Sequence, residues 1–169
     1  MKKLLLIVAV VCLGISANAQ NQFRAGISGG LPIGDAGDLA TFAIAVDLGY
    51  LFEISENFDV GVTTGYSHSF GDTFTETFGP LTVEVDVEDV QFIPIAASGR
   101  FEVAPSFTLG ADVGYALGVN DGNDGGFYYS PRAQYSVSEA IDIVAAFRGV
   151  SVDGGSWDII SAGVEFGID

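Results

Sequence analysis

After residue 20, apolar and polar residues alternate along most of the chain. The first alternating stretch, QFRAGISGGL, places Phe23, Ala25, Ile27 and Leu31 on one face and Arg24 with glycine and serine on the other. Strict alternation of this kind predicts a β-strand whose two faces meet different surroundings. Seven further stretches repeat the division, so the sequence predicts eight strands: TFAIAVDLGYLFE, NFDVGVTTGYS, QFIPIAASGRFEV, SFTLGADVGYALGV, GFYYSPRAQYSV, AIDIVAAFRGV and WDIISAGVEFGI.

The connections between the strands fall into two sets that alternate along the chain. Residues 54–58, 103–107 and 137–141 are tight turns, whereas the other connections, among them NDGNDGG and DGGS, are rich in glycine and aspartate. The longest connection, about residues 70–89, itself alternates as LTVEVDVE, which predicts a hairpin that projects beyond the other strands. Short turns at one end and longer loops at the other predict an all-β, eight-stranded antiparallel up-and-down barrel.

Two kinds of barrel match this pattern. A soluble, lipocalin-like barrel has its apolar face inside, whereas an outer-membrane barrel turns its apolar face toward lipid. The polar face consists of glycine, serine, threonine and alanine with about one charge per strand, which suits a cramped interior better than a solvent surface. Strands of about 9 to 11 residues also match the length that crosses a bilayer, so the sequence favours a transmembrane barrel.

Aromatic residues stand at both ends of the apolar face, where outer-membrane barrels carry interfacial girdles. We expect one girdle beside the tight turns and a second toward the longer loops. The first comprises Phe23, Phe52, Phe58, Phe101, Phe107, Tyr135 and Phe166, and the second comprises Phe42, Tyr66, Tyr115, Phe127, Tyr129 and Trp157.

Residues 1–19 have the form of a signal peptide, with the basic MKK, an apolar run and the small-residue site ANA before Gln20. We therefore expect residues 20–169 to be a barrel domain that is exported to the outer membrane. This part of the chain contains no lysine and no cysteine, and its four arginines stand against 22 carboxylates, a formal charge of −18. Such acidity argues against nucleic acid as a partner.

With these features the chain resembles the small outer-membrane β-barrels of Gram-negative bacteria, the OmpA/OmpX-like barrels with an outer membrane protein β-barrel domain. QFIPIAASGRFEV is similar to the proline-bearing strand of these proteins, and the resemblance extends over the whole of residues 20–169. The resemblance implies contact with outer-membrane lipids and lipopolysaccharide, and assembly by the barrel-assembly machinery. Family members usually end on an aromatic residue, whereas Phe166 is followed here by Gly167, Ile168 and Asp169.

All four arginines fall on the inward-facing side of their strands. Since the interior of an eight-stranded barrel is only wide enough for side chains, each charge there has to be paired. From neighbouring strands we expect Asp112 beside Arg132, Glu165 or Glu53 beside Arg24, and Asp59 beside Arg100. The predicted network comprises Arg24, Arg100, Arg132, Arg148, Asp47, Glu53, Asp59, Asp112, Asp142 and Glu165. We expect this network to serve internal packing. The alternative is a gated ion path that opens when the arginines exchange carboxylate partners.

His68 is the only histidine and lies between two serines in YSHSFGD. A histidine base with a serine nucleophile would make a lipid-modifying enzyme. Alternation points Ser67 and Ser69 to the face opposite His68, so the sequence favours an interfacial ring instead. We predict no catalytic residue and no cofactor.

The segment NDGNDGG, residues 120–126, offers Asp121, Asn123 and Asp124 as oxygen ligands. It lacks the later glutamate of a calcium-binding EF-hand loop, which favours a solvated turn without a metal. The acidic loop residues Glu84, Asp86, Glu88 and Asp89 could bind divalent cations that bridge to lipopolysaccharide phosphates, and solubility explains them equally well.

Taken together, the sequence predicts a monomeric barrel with both termini in the periplasm and a structural or surface-interaction role, such as adhesion. A narrow porin-like channel for ions or small solutes is the alternative, and an enzyme or a lipocalin-like barrel is less favoured. Pro94 shares the inward side with Phe92, although a closed barrel has no edge strand to accommodate a proline. We therefore expect a bulge, or a water in the lumen, beside Pro94.

Overall fold

The computed structural model describes residues 21–78 and 81–168, which are almost entirely strand. The predicted signal peptide, residues 1–19, lies outside these residues. The strands are β1 (Asn21–Ile33), β2 (Ala40–Ser55), β3 (Phe58–Gly71), β4 (Thr73–Phe78), β5 (Leu81–Asp86), β6 (Val90–Ala104), β7 (Phe107–Gly118), β8 (Gly126–Ser138), β9 (Ile141–Val152) and β10 (Gly155–Ile168). One 3-10 turn, Gly34–Ala36, follows β1. In the described range no helix has the length and apolarity to cross a membrane.

Eight of these strands form a closed barrel in the order β1, β10, β9, β8, β7, β6, β3, β2. Every neighbouring pair is antiparallel, and β1 closes the barrel by pairing with β10 from Phe23↔Ile168 to Ile33↔Asp158. This confirms the eight-stranded up-and-down barrel that alternation predicts. Closure leaves no free sheet edge, which satisfies the requirement that backbone groups in lipid be paired within the protein.

The connections between the strands form the two predicted sets, tight turns and longer loops, with one change. The β2–β3, β6–β7 and β8–β9 turns each leave two residues between the strands. The segment after β3 forms the predicted separate hairpin, in which β4 and β5 pair from Thr73↔Asp86 to Phe78↔Leu81 outside the closed barrel. The β9–β10 connection, which composition groups with the longer loops, is itself a two-residue turn of Asp153 and Gly154, with φ of +88° at Gly154.

The outer face of the barrel is apolar, as the membrane interpretation requires. On β1, for example, Ile27 and Leu31 are each about three-fifths exposed. The predicted girdle aromatics lie on this face with one exception, and the two ends carry Phe23, Phe52, Phe58, Phe101, Phe107, Tyr135 and Phe166, and Phe42, Tyr66, Tyr115, Phe127 and Tyr129, respectively.

Trp157 is the exception, and its predicted place in the outer girdle is wrong. Its side chain is 7% exposed and lies inside the barrel, where its Nε1 donates a hydrogen bond of 3.0 Å to Ser69 Oγ. On β10 the even-numbered residues Ile160 and Phe166 face outward, so the odd-numbered Trp157 faces inward. A buried indole N–H needs an acceptor, and Ser69 supplies it.

Pro94 is accommodated by a gap in one ladder, and the predicted bulge is wrong. Register with β7 is continuous through the pair Pro94↔Ala116. Pairing with β3 lapses between Thr64↔Ile95 and Ser67↔Phe92 without a shift in register. The carbonyl of Pro94 accepts a 2.9 Å hydrogen bond from Thr64 Oγ1, which replaces part of the interrupted ladder. Pro94 and Phe92 both face inward, as alternation predicts.

Tyr129 and Gly149 form a close aromatic contact on the outer face. They are register partners on β8 and β9, and the Tyr129 ring occupies the space that a Cβ at Gly149 would need. The ring also stacks on Phe147, with centroids 5.9 Å apart. The absence of a side chain at Gly149 therefore lets the tyrosine lie flat across the neighbouring strand.

We expect Gly149→Ala to destabilise the barrel by about 1–3 kcal/mol, because the added methyl overlaps the Tyr129 ring. The matched control is Gly99→Ala on β6, where a Cβ would meet only Phe58 ring atoms at 3.9 and 4.0 Å. The control should change stability by less than about 0.5 kcal/mol. Urea unfolding in phospholipid vesicles measures both, and equal losses would contradict the aromatic contact as the cause.

Candidate functional site

The four arginines converge in the barrel interior, and each lies within ion-pair distance of a carboxylate. Arg24 lies 2.7 Å from Asp142, Arg100 lies 2.8 Å from Asp112, and Arg148 lies 2.5 Å from Asp47. Arg132 bridges two carboxylates, at 2.5 Å from Glu165 and 3.6 Å from Asp112. The interior therefore contains four cations matched by four carboxylates.

Two of the partners expected from neighbouring strands are wrong. Arg100 lies opposite Asp59 in the β3–β6 register, but its side chain crosses Gly110 on β7 and reaches Asp112 instead. Gly110 permits this path, because a Cβ there would meet the Arg100 side chain at 2.7 Å. The long, flexible arginine thus passes over a residue without a side chain to reach the more buried carboxylate.

Arg24 likewise bonds neither Glu165 nor Glu53. Its register partner on β10 is Gly167, and its guanidinium passes this glycine to reach Asp142 on β9. Gln22 accepts two further hydrogen bonds from Arg24, at 3.2 and 2.7 Å. In both cases the arginine passes a register partner that has no side chain, Gly110 or Gly167, to reach its carboxylate.

Arg148 extends furthest across the interior. It donates to both carboxylate oxygens of Asp47, at 3.0 and 2.5 Å, and also to Ser161 and Ser28. These contacts join β9, β10, β1 and β2. A bidentate guanidinium–carboxylate pair fixes orientation as well as charge, so Arg148 ties one side of the barrel together.

Glu53 and Asp59 lie at the tight-turn mouth, outside the paired layer. With Glu56 and Glu102 they line a cavity of about 210 Å³. Among the residues that the structure describes, neither Glu53 nor Asp59 forms an ion pair. Instead of joining the predicted lumen network, Glu53 and Asp59 form part of an acidic rim at this end of the barrel.

Above the ion pairs, the lumen is filled by apolar side chains; alternation predicts Phe92 and several of the alanines among them on the inward face, whereas Trp157 was expected outside. Phe92 is 2% exposed, and Trp157 packs near it in one buried cluster with Ala36 of the 3-10 turn. The other members of this apolar plug are Ala40, Ala43, Ala96, Ala116, Tyr128, Val150 and Ile159. The two-residue period predicts an inward position for two of these members: Val150 has the parity of the inward Arg148, and Ile159 has the parity opposite to the outward Phe166.

The interior between the two mouths is narrow. Cavities beside the ion pairs and beneath the apolar plug measure about 10 Å³ each, which is room for one water molecule. The larger spaces lie at the ends of the barrel, and the part of the chain seen in the structure leaves no wide path between them.

The larger end space is a loop-end vestibule of about 560 Å³. Phe92, Trp157, Val90 and Val152 are among its apolar lining, and the residues 120–126 and Asp153 form its sides. Asn120 and Asn123 hold this loop to Gln91 at the start of β6: Asn120 Oδ1 accepts from the Gln91 N–H at 3.0 Å, and Asn123 Nδ2 donates to the Gln91 carbonyl at 3.0 Å.

The same contacts occupy side-chain oxygens that a calcium ion would need in NDGNDGG. Asn123 Oδ1 accepts the Gly125 N–H at 3.0 Å, and Asn120 Oδ1 accepts from Asn123 as well as from Gln91. Both amide oxygens are therefore engaged within the loop. In the described ranges, no group of three or more His, Cys, Asp or Glu side chains could hold a metal ion.

His68 lies on the outer face at the loop end, with its ring 4.5 Å from Phe70. Its Nδ1 is 3.1 Å from the Tyr66 hydroxyl, and its Nε2 is 2.8 Å from Asp89 Oδ2. Ser67 and Ser69 are buried inside the barrel. The structure therefore brings no neighbouring serine hydroxyl to the imidazole, and an interfacial ring fits this geometry.

Asp89 joins the two ends of the projecting hairpin. It accepts the Gly71 N–H at 2.9 Å as well as contacting His68. The backbone hydrogen bond from Gly71 is the main reason that the pKa of Asp89 lies below its ordinary value, and the His68 contact lowers the pKa further. Both contacts favour the ionised carboxylate.

An antiparallel eight-stranded barrel with an apolar exterior and a paired interior is the architecture of a small outer-membrane β-barrel protein. The sequence profile of the family described as outer membrane protein beta-barrel domain matches residues 4–167. The chain belongs to this family, and its location is the outer membrane.

Solved structures with the same fold include three small outer-membrane barrels. The attachment invasion locus protein Ail of Yersinia pestis has 14% identity and a TM-score of 0.57, with 88% of this chain and 97% of that chain covered. Neisserial surface protein A has 17% identity and a TM-score of 0.52, with 88% and 98% covered. The N-terminal barrel of Pseudomonas aeruginosa OprF has 15% identity and a TM-score of 0.53, with 89% and 100% covered. No curated protein sequence matches the chain significantly.

We expect Arg132→Met to lower the free energy of unfolding by about 3–5 kcal/mol, because Glu165 is left buried without its cation. The double variant Arg132→Met with Glu165→Gln should be more stable than the single one. Arg24→Met is the control, since Arg24 lies nearer the mouth with 19% of its side chain exposed, and its loss should be smaller. Urea unfolding in vesicles gives all three values, and equal losses for Arg24 and Arg132 would contradict the burial argument.

Acidification should release the Asp89 anchor. A carboxyl with a lowered folded pKa stabilises the folded state above its ordinary pKa of about 4 and loses that contribution as pH falls through the lowered value. The Gly71 amide resonance, followed by NMR from pH 6 to pH 2, should therefore shift only below about pH 4. Asp89→Asn should abolish this titration. A Gly71 resonance that keeps the same titration in Asp89→Asn would show that another group is responsible.

Proposed function

We propose that this chain is a structural outer-membrane barrel that interacts with its surroundings through acidic surface loops and does not conduct through its lumen. The filled interior carries this proposal: the cavities beside the ion pairs and the apolar plug measure about 10 Å³ each in the described residues. The groups open to a partner therefore lie on the outer face and at the ends.

The loop end has one sign of charge. The loop segments carry Asp35, Asp38, Asp72, Glu76, Glu84, Asp86, Glu88, Asp89, Asp121, Asp124 and Asp153, with no lysine or arginine. A surface of this kind attracts cations and cationic groups and repels polyanions. We place this end on the cell exterior and both termini in the periplasm.

This charge pattern does not suit a sulfated ligand. Ail has been solved in complex with the heparin analogue sucrose octasulfate. A sulfated ligand needs basic side chains, and the loops of this chain have none, so we propose no such partner here. For lipopolysaccharide, we propose contact through divalent cations that bridge loop carboxylates to phosphate groups.

The narrow channel remains the competing function. Passage of ions would require the apolar plug, which separates the loop-end vestibule from the lumen, and the Arg148–Asp47 pair both to open. We assign no enzymatic activity, because His68 has a tyrosine and an aspartate beside it and no serine nucleophile. Assembly by the barrel-assembly machinery and a monomeric state complete the proposal.

Planar bilayer recording tests the closed lumen. The purified chain should be electrically silent at moderate voltage, and Arg148→Ala should also be silent, because the apolar plug still blocks the lumen. A steady conductance that changes in Arg148→Ala would overturn the proposal and support the channel. Deletion of the gene should make the bacterium more sensitive to detergent. If the Arg148→Ala variant restores resistance, the role depends on the barrel and not on conduction.

A further inference from the structure

We propose that the loop-end vestibule binds an organic cation with an apolar body, such as an aryl- or alkylammonium group. The inference rests on the proposed surface-interaction role only in that this end faces the exterior. Three features carry it: the size of the vestibule, its apolar floor, and aspartates along its sides that pair with no cation in the described residues.

The vestibule has the size and floor of a small-molecule site. Its volume of about 560 Å³ falls within the range of about 300–1,000 Å³ that is typical of such sites. Phe92 and Trp157 close its floor against the lumen, and Val90 and Val152 lie beside them. An apolar body placed here would bury its surface against the outer side of the plug without displacing a paired charge.

Asp121, Asp124 and Asp153 line the vestibule, and all three residues are exposed. Within residues 21–78 and 81–168, no ion pair or side-chain hydrogen bond reaches these carboxylates. Their loop neighbours Asn120 and Asn123, in contrast, make the hydrogen bonds that hold the loop to Gln91. The asparagines therefore maintain the shape of the vestibule, and the aspartates supply negative charge without a structural task.

Together these features specify the chemistry of the ligand. An ammonium group near the aspartates gains from their charge, whereas an anion is repelled. A bare divalent ion fits less well, because no group of three metal-ligating side chains occurs in the described residues.

The only tryptophan of the chain, Trp157, lies in the floor and reports binding directly. The probe is 4-phenylbutylamine, titrated into the folded protein in zwitterionic detergent, with 4-phenylbutanol and 4-phenylbutyrate as its neutral and anionic counterparts. We expect a saturable change in Trp157 emission with a Kd on the order of 1 mM for the amine, about the affinity of a small fragment. The alcohol should bind at least about 5-fold more weakly, and the anion more weakly still, because neither carries the positive charge.

Charge-neutral variants separate the site from the general acidity of the protein. Asp121→Asn, Asp124→Asn and Asp153→Asn together should weaken amine binding about 5- to 10-fold and leave the alcohol unchanged. The turn at Asp153–Gly154 tolerates this change, because its left-handed position is Gly154, which is kept. The control removes three hairpin carboxylates instead, with Glu84→Gln, Asp86→Asn and Glu88→Gln, and should weaken amine binding less than about 2-fold.

Equilibrium dialysis of the amine against protein-loaded and empty micelles provides a second measurement that does not depend on Trp157. Equal affinity for the amine and the alcohol, equal loss in both triple variants, or no protein-dependent uptake of the amine would each overturn the inference. A conducting lumen would overturn the proposed function and leave amine binding untouched. Absence of binding in an electrically silent barrel would overturn this inference alone.

Discussion

The narrow width of a closed eight-stranded barrel is the constraint on which the other features depend. Closure satisfies the backbone in lipid, and it also brings inward side chains from opposite strands within reach of one another. A charge in this space cannot be solvated, so each arginine meets a carboxylate, and Arg148 meets Asp47 three strands away. The apolar plug satisfies the same constraint in another way, because it fills the loop-end part of the lumen with side chains that need no polar partner.

Much of this could be predicted from the sequence, because lipid imposes a strict two-residue period on each strand. The period identifies all eight barrel strands, the projecting hairpin and the inward direction of every arginine. Partner choice could not be predicted, because it depends on which intervening residues lack a side chain, as Gly110 and Gly167 do. The aromatic type of Trp157 predicts the outer girdle, whereas its odd position on β10 turns it inward, where Ser69 accepts its indole N–H.

The filled lumen also separates the structural and interacting parts of the molecule. Ion pairs and the apolar plug occupy the space that a channel would need, whereas the loops beyond them are free of that packing. Within NDGNDGG, residues with a structural role and residues open to a partner alternate: the asparagines bind Gln91 and the aspartates face solvent. Amide and carboxylate differ here in a simple way: Asn123 both donates and accepts, whereas an ionised carboxylate can only accept.

Placement of the cations decides the electrostatic character of the surface. All four arginines of residues 20–169 lie in the interior, where Asp47, Asp112, Asp142 and Glu165 balance them. The formal charge of −18 therefore resides in the remaining carboxylates, most of which stand in the loops and turns at the two ends of the barrel. A barrel with the same composition but arginines in its loops would carry mixed charge there and would attract anions as well as cations. Because its arginines are paired in the lumen, this chain leaves its loop end with carboxylates and no arginine, and that sign of charge selects cationic partners.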